Sequence, residues 1–462
     1  MKVLFLLEQI EVLDLLEDPS DVNPGVGGTS YLIPQLAHRI YSETKHRRSN
    51  QIELALGCWN GRSTQDDYNG VRVVNLKEPI NDKCHDQVEE VFDITIATGG
   101  ALEAIDTGLA EIKTKQIVAW IHHPFDKRKI SIAKKHRAHI VSIGAIQYLS
   151  NVLYQGRHIH IENLFSQAKI QEAAAGRTRK ATPLAKNANT IHIGYMGSLI
   201  PSKGLHCVLN NWASIKAIMS ARGKSIVLHV IGGSKLYSYE ESHPYLPCGI
   251  HYGERLEKLI NNQGIEDDEI IFHGVLGKER YQLMADCDLA IVNPDGYGEA
   301  FPATILEWLS LGVPPITANR FGLGDVAQYI PELCIKKPKH IADAIAYCLD
   351  LEVAQLKRLR RKCMRIASLY DSKQKHIIEQ WIFALECIAD SESTNDPRTR
   401  GVTQNYAFLY DEYPTLPMTC QIFYDYLDML WIDLKNRSKQ SQRRLISKLR
   451  NIHRLTQAQS QK

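Results

Sequence analysis

Short apolar runs recur along the N-terminal part of the chain at helical separations: Val3 to Leu7, Ile52 to Leu56, Val71 to Leu76, Ile94 to Ala97, Ile117 to Ile121 and His139 to Ile143. Runs of this length, separated by longer polar-amphipathic stretches, predict strands of a parallel sheet buried on both faces, with helices between them. From Ala173 to Asn187 the apolar pattern lapses, as in an interdomain connection. A second series then opens at Ile191 to Met196 and continues through Ser225 to Ile231, Glu269 to Phe272, Asp288 to Val292 and Pro315 to Ala318. Two consecutive series predict an α/β protein with two doubly wound domains, residues 1–170 and 189–365, and a cleft between them. Ser368 to Ile388, containing Trp381, reads as helix within a segment 366–390.

Beyond residue 390 the pattern changes. Ser391 to Pro397 reads as a linker, and Tyr406 to Leu434 is rich in aromatics. Leu445, Leu449 and Ile452 then fall at helical spacing among Arg443, Arg444, Lys448 and Arg450. The predicted extension, 391–462, is thus helical and basic, suited to an anionic membrane surface, to a partner or to docking on its own domain.

Length and composition narrow the classes. A chain of 462 residues exceeds one ordinary core, and 44% hydrophobic with 23% charged residues is typical of a globular protein. Met1 to Leu7 is interrupted by Glu8, Glu11 and Asp14 before a signal-peptide core forms, and no apolar run reaches a membrane span. Ten cysteines without close pairs fit reduced thiols and a cytoplasmic setting, not a disulfide framework or zinc site. Nine Lys and Arg with no acid lie between Lys435 and Lys462, which leaves the rest of the chain negative although the whole carries +3. Nucleic-acid binding by the main body is therefore not expected.

The most informative segment runs from Glu299 to Glu307. The strand Asp288 to Pro294 leads through Asp295-Gly-Tyr-Gly298 to a predicted helix with Pro302 in its first turn and Gly312, Pro314 and Pro315 ending it. A strand feeding a helix N-terminus through a glycine loop is an anion site. One carboxylate stands in the loop and the other about two turns into the helix, so a diphosphate could lie between two hydroxyl-binding groups. Two glutamates eight apart are also what a solvated helix face provides.

Other positions gain meaning beside it. Gly197-Ser198-Leu-Ile-Pro-Ser-Lys203-Gly204 is again strand, glycine loop and helix, with a lysine able to neutralise phosphate. Gly27 and Gly28 precede an amphipathic segment that Thr29 or Ser30 could cap. His122-His123-Pro124-Phe125-Asp126 follows a strand end, where α/β proteins place functional groups. A histidine pair with neither a third histidine four positions away nor a nearby cysteine does not suggest zinc.

The glutamate spacing, with its strand before and Gly-x-Pro strand after, resembles the Glu, seven residues, Glu motif of retaining glycosyltransferases of family four. Lys203-Gly204 resembles that family's phosphate motif, with Ser198 at the usual arginine position. Ile161-Glu-Asn163, Ile231-Gly-Gly233, Phe272-His-Gly274 and Gly322 to Val326 resemble further family loops. The resemblance covers residues 1–388 and implies the GT-B architecture of two facing Rossmann-like domains, with the C-terminal helical extension added.

It implies metal-independent retaining transfer from a nucleoside-diphosphate sugar to a glycan or lipid-linked acceptor, in polysaccharide or lipopolysaccharide synthesis at the inner face of a membrane. Glu299, His122 and Lys203 would be catalytic, with Gly27, Gly28, Ser198, Gly274, Phe301, Pro302, Ala303, Thr304 and Glu307 binding substrate. The departure at Ser198 keeps a second reading in view, a weakened GT-B protein acting as a scaffold. A Rossmann oxidoreductase is disfavoured, because Met1 to Leu7 is not followed by a compact Gly-x-Gly-x-x-Gly.

Overall fold

The computed structural model describes residues 1–390 except 9–10, 17–21, 47–51, 60–62, 64–65, 77–89, 124–126, 151–157, 176–188 and 235–240. Most of the expected connection and the whole basic extension, 391–462, lie outside the described residues.

The first sheet comprises β1 (Lys2–Leu7), β2 (Glu53–Cys58), β3 (Asp67–Tyr68), β4 (Val71–Asn75), β5 (Val91–Ala97), β6 (Lys113–Ile121), β7 (His139–Ser142) and β8 (His158–His160), in the order β3-β4-β2-β1-β5-β6-β7-β8. All pairings are parallel except β3 with β4. The second comprises β9 (Thr190–Met196), β10 (Ser225–Ile231), β11 (Ile270–Gly274), β12 (Leu289–Val292), β13 (Pro315–Ala318) and β14 (Cys334–Ile335), all parallel, in the order β11-β10-β9-β12-β13-β14. Each sheet is a doubly wound α/β unit. The second has the strand order that binds nucleotides at the point where the winding reverses, here between β9 and β12.

Eight helices position the site: α1 (Gly28–Thr44), α2 (Ala145–Ser150), α3 (Gln167–Ala173), α4 (Arg280–Asp286), α5 (Ala303–Ser310), α6 (Gly324–Ala327), α7 (Val353–Asp371) and α8 (Gln374–Asp390). The continuous helix expected over Ser368 to Ile388 is divided between α7 and α8. Helix α8 packs on α1 and β5 of the first sheet, and its Trp381 ring meets Trp120 of β6 edge to face at 5.2 Å. Both tryptophans are almost wholly buried, so this contact joins the end of the second series to the first sheet through apolar surface.

Helix α5 seats itself by shape. Trp308 is fully buried, and its ring fills the space a side chain at Gly194 of β9 would need. The glutamate-bearing helix is thereby pressed against the central strand of its own sheet. Gly312, with φ +70°, follows the last turn in the left-handed conformation that terminates helices.

Candidate active site

A cleft enclosing about 320 Å³ opens where the carboxyl ends of both sheets meet. Of the residues expected to form a site, Gly27, Gly28, His122, Ser198, Lys203, Glu299, Phe301, Ala303, Thr304 and Glu307 line it, whereas Gly274 and Pro302 do not. Pro302 is the N-cap of α5, one position before the first turn where it was expected. Glu307 is consequently the fifth residue of the helix and lies little more than one turn in, instead of two. Helix α1 begins at Gly28 with Gly27 as its cap, so Thr29 and Ser30 stand inside the first turn and cap nothing.

Glu299 lies in the loop between β12 and α5. Asn293, in a left-handed conformation at φ +37°, accepts the Gly296 N–H and donates to the Tyr297 carbonyl, each at 3.1 Å, and so shapes the turn before it. The Gly322 N–H donates to the Glu299 carbonyl at 3.0 Å. At the side chain, Lys203 Nζ donates to Oε2 at 2.7 Å, and Oε1 accepts no hydrogen bond among the described residues. Lys203 is held from behind: its carbonyl accepts the buried Tyr195 hydroxyl at 2.8 Å.

Glu307 is held on one side in the same fashion. The Tyr281 hydroxyl donates to Oε1 at 2.8 Å and Arg280 Nη2 approaches it at 3.3 Å, leaving Oε2 without a partner among the described residues. Arg280 is 5% exposed and donates to the carbonyls of Asn23 at 2.6 Å and Gly277 at 2.8 Å. It therefore ties the glycine loop after β1 to the glutamate helix of the other sheet. Arg280 is committed to these partners and is not free to replace the arginine that Ser198 displaces.

The glycine loops after β9, β10 and β11 are bonded to one another. Gly197 N–H donates to the Ile231 carbonyl at 3.1 Å, Leu199 N–H to Gly233 at 3.1 Å and Gly232 N–H to Gly274 at 2.8 Å. At Gly232, with φ +132°, a side chain would collide with the Gly197 carbonyl, so only glycine allows the loops to approach this closely.

His122, at the end of β6, is 9% exposed, and its ring packs edge to face on Trp120 at 4.4 Å. Burial, with a smaller contribution from His123, pushes its pKa down to about 3. At neutral pH it offers one N–H and one acceptor nitrogen but no charge. Its Nε2 has no hydrogen-bond partner among the described residues. The neighbouring His123 lies within electrostatic reach of Lys203 and Glu299.

Several cleft residues were not anticipated. Besides Arg280 and Tyr281, they include Gln35 and Arg39 of α1, Asn163, and Lys169 of α3. Gln35 is 4% and Asn163 5% exposed, and Gln35 Nε2 and Asn163 Oδ1 have no partner among the described residues. Only Asn163 lies within a segment that the sequence singled out. Among the described residues, no group of three or more His, Cys, Asp or Glu could hold a metal ion, and no helix is long and apolar enough to cross a membrane.

Residues 176–367 match the family model of the glycosyl transferases group 1. This stretch, the second sheet and its helices, is therefore similar to the glycosyl transferases group 1. The matched part contains Ser198, Lys203, Gly274, Glu299 and Glu307, whereas Gly27, Gly28 and His122 come from the first sheet, outside it. No curated protein sequence matches the chain.

Among solved structures, the chain resembles Anabaena HepE in complex with UDP and glucose, at 17% identity over 84% of this chain and 100% of that one, with a TM-score of 0.55. It also resembles an α,α-trehalose 6-phosphate synthase from Burkholderia multivorans, at 12% identity over 85% and 99% with a TM-score of 0.58. An E. coli trehalose-6-phosphate protein bound with UDP-2-fluoro glucose matches at 11% over 84% and 99%, with a TM-score of 0.56. At these identities the similarity establishes the two-domain GT-B fold.

Proposed function

We propose that the protein is a retaining glycosyltransferase that takes its sugar from a nucleoside-diphosphate sugar and delivers it to a glycan or lipid-linked acceptor. One observation carries this reading. Glu299 and Glu307 flank the N-terminal part of α5 in one cleft, each with one carboxylate oxygen fixed by a cation and the other open. The open Oε2 of Glu307 suits the ribose hydroxyls and the open Oε1 of Glu299 the sugar hydroxyls, with the diphosphate between them at the helix N-terminus. The solved structures with UDP, UDP-glucose or UDP-2-fluoro glucose in the same fold make UDP-sugars the first donors to test.

Breaking the anomeric bond leaves positive charge on the ring and negative charge on the diphosphate. In this reading Lys203 shifts from Glu299 to the leaving phosphate, and Glu299, released, faces the oxocarbenium ion. Fixed charges aimed at developing charge are the strongest ordinary source of rate enhancement. Neutral His122 donates to, or accepts from, a sugar hydroxyl. With both faces of the ring so occupied, acceptor attack comes from the leaving-group side through an ion pair, which retains configuration. Arg39 and Lys169 add positive potential to the cleft without a metal. The basic segment Lys435 to Lys462 supplies peripheral contact with an anionic membrane, which deletion would remove from liposome cosedimentation.

A thermal-shift screen against UDP, GDP, ADP and dTDP, their sugar conjugates, NAD and NADP tests the donor class. Ligand at a hundred times its Kd stabilises the native state by about 2.7 kcal/mol and raises Tm. A response confined to one nucleoside diphosphate and its sugar supports the reading. A response to NAD or NADP, or to no nucleotide, contradicts it.

A further inference from the structure

Asp325 lies on α6, beyond the cleft, and is 5% exposed. Its carboxylate reaches across to the first sheet's side. Oδ2 accepts the Ala145 N–H at 2.9 Å and Oδ1 accepts the Ile146 N–H at 3.1 Å, the first two residues of α2. The next residue of α2, Gln147, is also buried. Its Oε1 accepts the Ile143 N–H at 2.9 Å, and its Nε2 donates to the Ile121 carbonyl at 3.1 Å and the His123 carbonyl at 2.7 Å. These two carbonyls flank His122.

The seam is also tight at the reactive loop. Side chains at Gly144 or Gly322 would each collide with Ala300, the residue after Glu299. The backbone segments carrying Glu299, Asp325 and the start of α2 are therefore in mutual contact. A buried carboxylate that fills both oxygens with backbone donors from another domain fixes two directions at once.

We propose that Asp325 is a positioning residue: through α2 and Gln147 it couples contact between the two domains to the placement of His122 opposite Glu299. When the domains separate, Asp325 leaves the Ala145 and Ile146 amides, α2 is released, and the His122 segment loses its hold. The assembled site then exists only in the closed form, so a donor bound in the open form is protected from transfer to water. Asp325 touches no substrate in this scheme. The inference rests on the donor-site reading above for its kinetic arm alone.

The test is hydrogen exchange by mass spectrometry on the full-length protein, alongside UDP binding and UDP-glucose hydrolysis, for wild type, Asp325→Asn and Gln147→Leu. Asparagine retains the shape of aspartate but offers one acceptor to two N–H groups. Both variants should raise amide exchange over residues 119–123 by about tenfold, the equivalent of one lost hydrogen bond. Both should lower kcat for hydrolysis by at least about tenfold while UDP affinity stays within about threefold. Unchanged exchange over 119–123 in either variant overturns the proposal, as does kcat within about twofold of wild type. If Asp325→Asn fails to fold, Gln147→Leu decides by the same two readings. If wild type neither binds UDP nor hydrolyses UDP-glucose, the donor reading has failed for that nucleotide, and the exchange arm still judges the coupling.

Discussion

Lys203 Nζ stands 2.7 Å from Glu299 Oε2, so the lysine assigned to the leaving phosphate is, without donor, the counter-ion of the glutamate assigned to the sugar. The pair joins residues 96 positions apart, from the loop after β9 and the loop after β12, across the winding reversal. In the proposed function, donor binding divides it. Lys203→Met should weaken UDP binding about tenfold or more, as expected for losing a charge-assisted contact. It should also lower turnover beyond the binding loss, because the released charge is most needed when the diphosphate leaves. Isothermal titration and initial rates on the variant check both.

Glu307 cannot be removed innocently. Arg280 is nearly buried, and truncating its carboxylate partner leaves a guanidinium with only carbonyls and a hydroxyl around it. Breaking a buried pair from one side costs about 3–5 kcal/mol, somewhat less here because the carbonyl bonds remain. Glu307→Ala should therefore lower Tm even without ligand. Glu307→Gln, which still accepts from Tyr281, should retain most of the stability and lose nucleotide affinity. Comparing the two by calorimetry separates binding from folding.

His122 gives the protein an acid-sensitive term. Its pKa is about 3 folded against 6.5 unfolded, so the unfolded chain takes up a proton that the native state refuses. Its contribution to stability is unimpaired above pH 6.5 and is lost progressively as pH falls from 6.5 toward 3, at about 1.4 kcal/mol per unit. His122→Asn should be less destabilised than wild type on moving from pH 7 to pH 5, by roughly 2 kcal/mol in urea unfolding. Equal losses would remove the buried neutral histidine from the account.

The glycine contacts set geometry, not only stability. Gly232→Ala pushes a methyl into the Gly197 carbonyl from a left-handed backbone. Strain of this kind costs on the order of 1–3 kcal/mol and must be relieved by parting the loops after β9 and β10. The expected result is nucleotide affinity reduced by more than tenfold with a smaller proportional loss in Tm, measured in one thermal-shift titration.

What was legible depended on how local the signal is. Apolar runs located β9, β10 and β13 nearly to the residue, because buried strands of a parallel sheet read as short, mainly apolar runs between polar or loop segments. The two- and three-residue strands β3, β8 and β14 are too short to carry a pattern. The Glu299 and Glu307 spacing, Lys203 beside a glycine and His122 at a strand end could all be read along the chain. The way Arg280 and Tyr281 grip Glu307, or Asp325 reaches 180 positions back to Ala145, could not. Those are meetings of side chains made by the fold, and no local periodicity encodes them. Arg280 and Tyr281, adjacent at the start of an otherwise ordinary amphipathic helix, gave at most the hint that a buried arginine needs a partner. Pro302 caps α5 instead of standing in its first turn, a difference of one residue that local sequence does not resolve, because the ring and missing N–H suit either position.

The central claim is that Glu299 meets charge that appears only as the sugar departs. Glu299→Gln keeps the size of the side chain and a hydrogen-bond acceptor but removes the charge. The decisive measurement is single-turnover transfer or hydrolysis from the donor that the screen identifies, with donor affinity determined in parallel. The account predicts affinity within about threefold of wild type and a rate lower by about a hundredfold or more. A rate within threefold at unchanged affinity would contradict it.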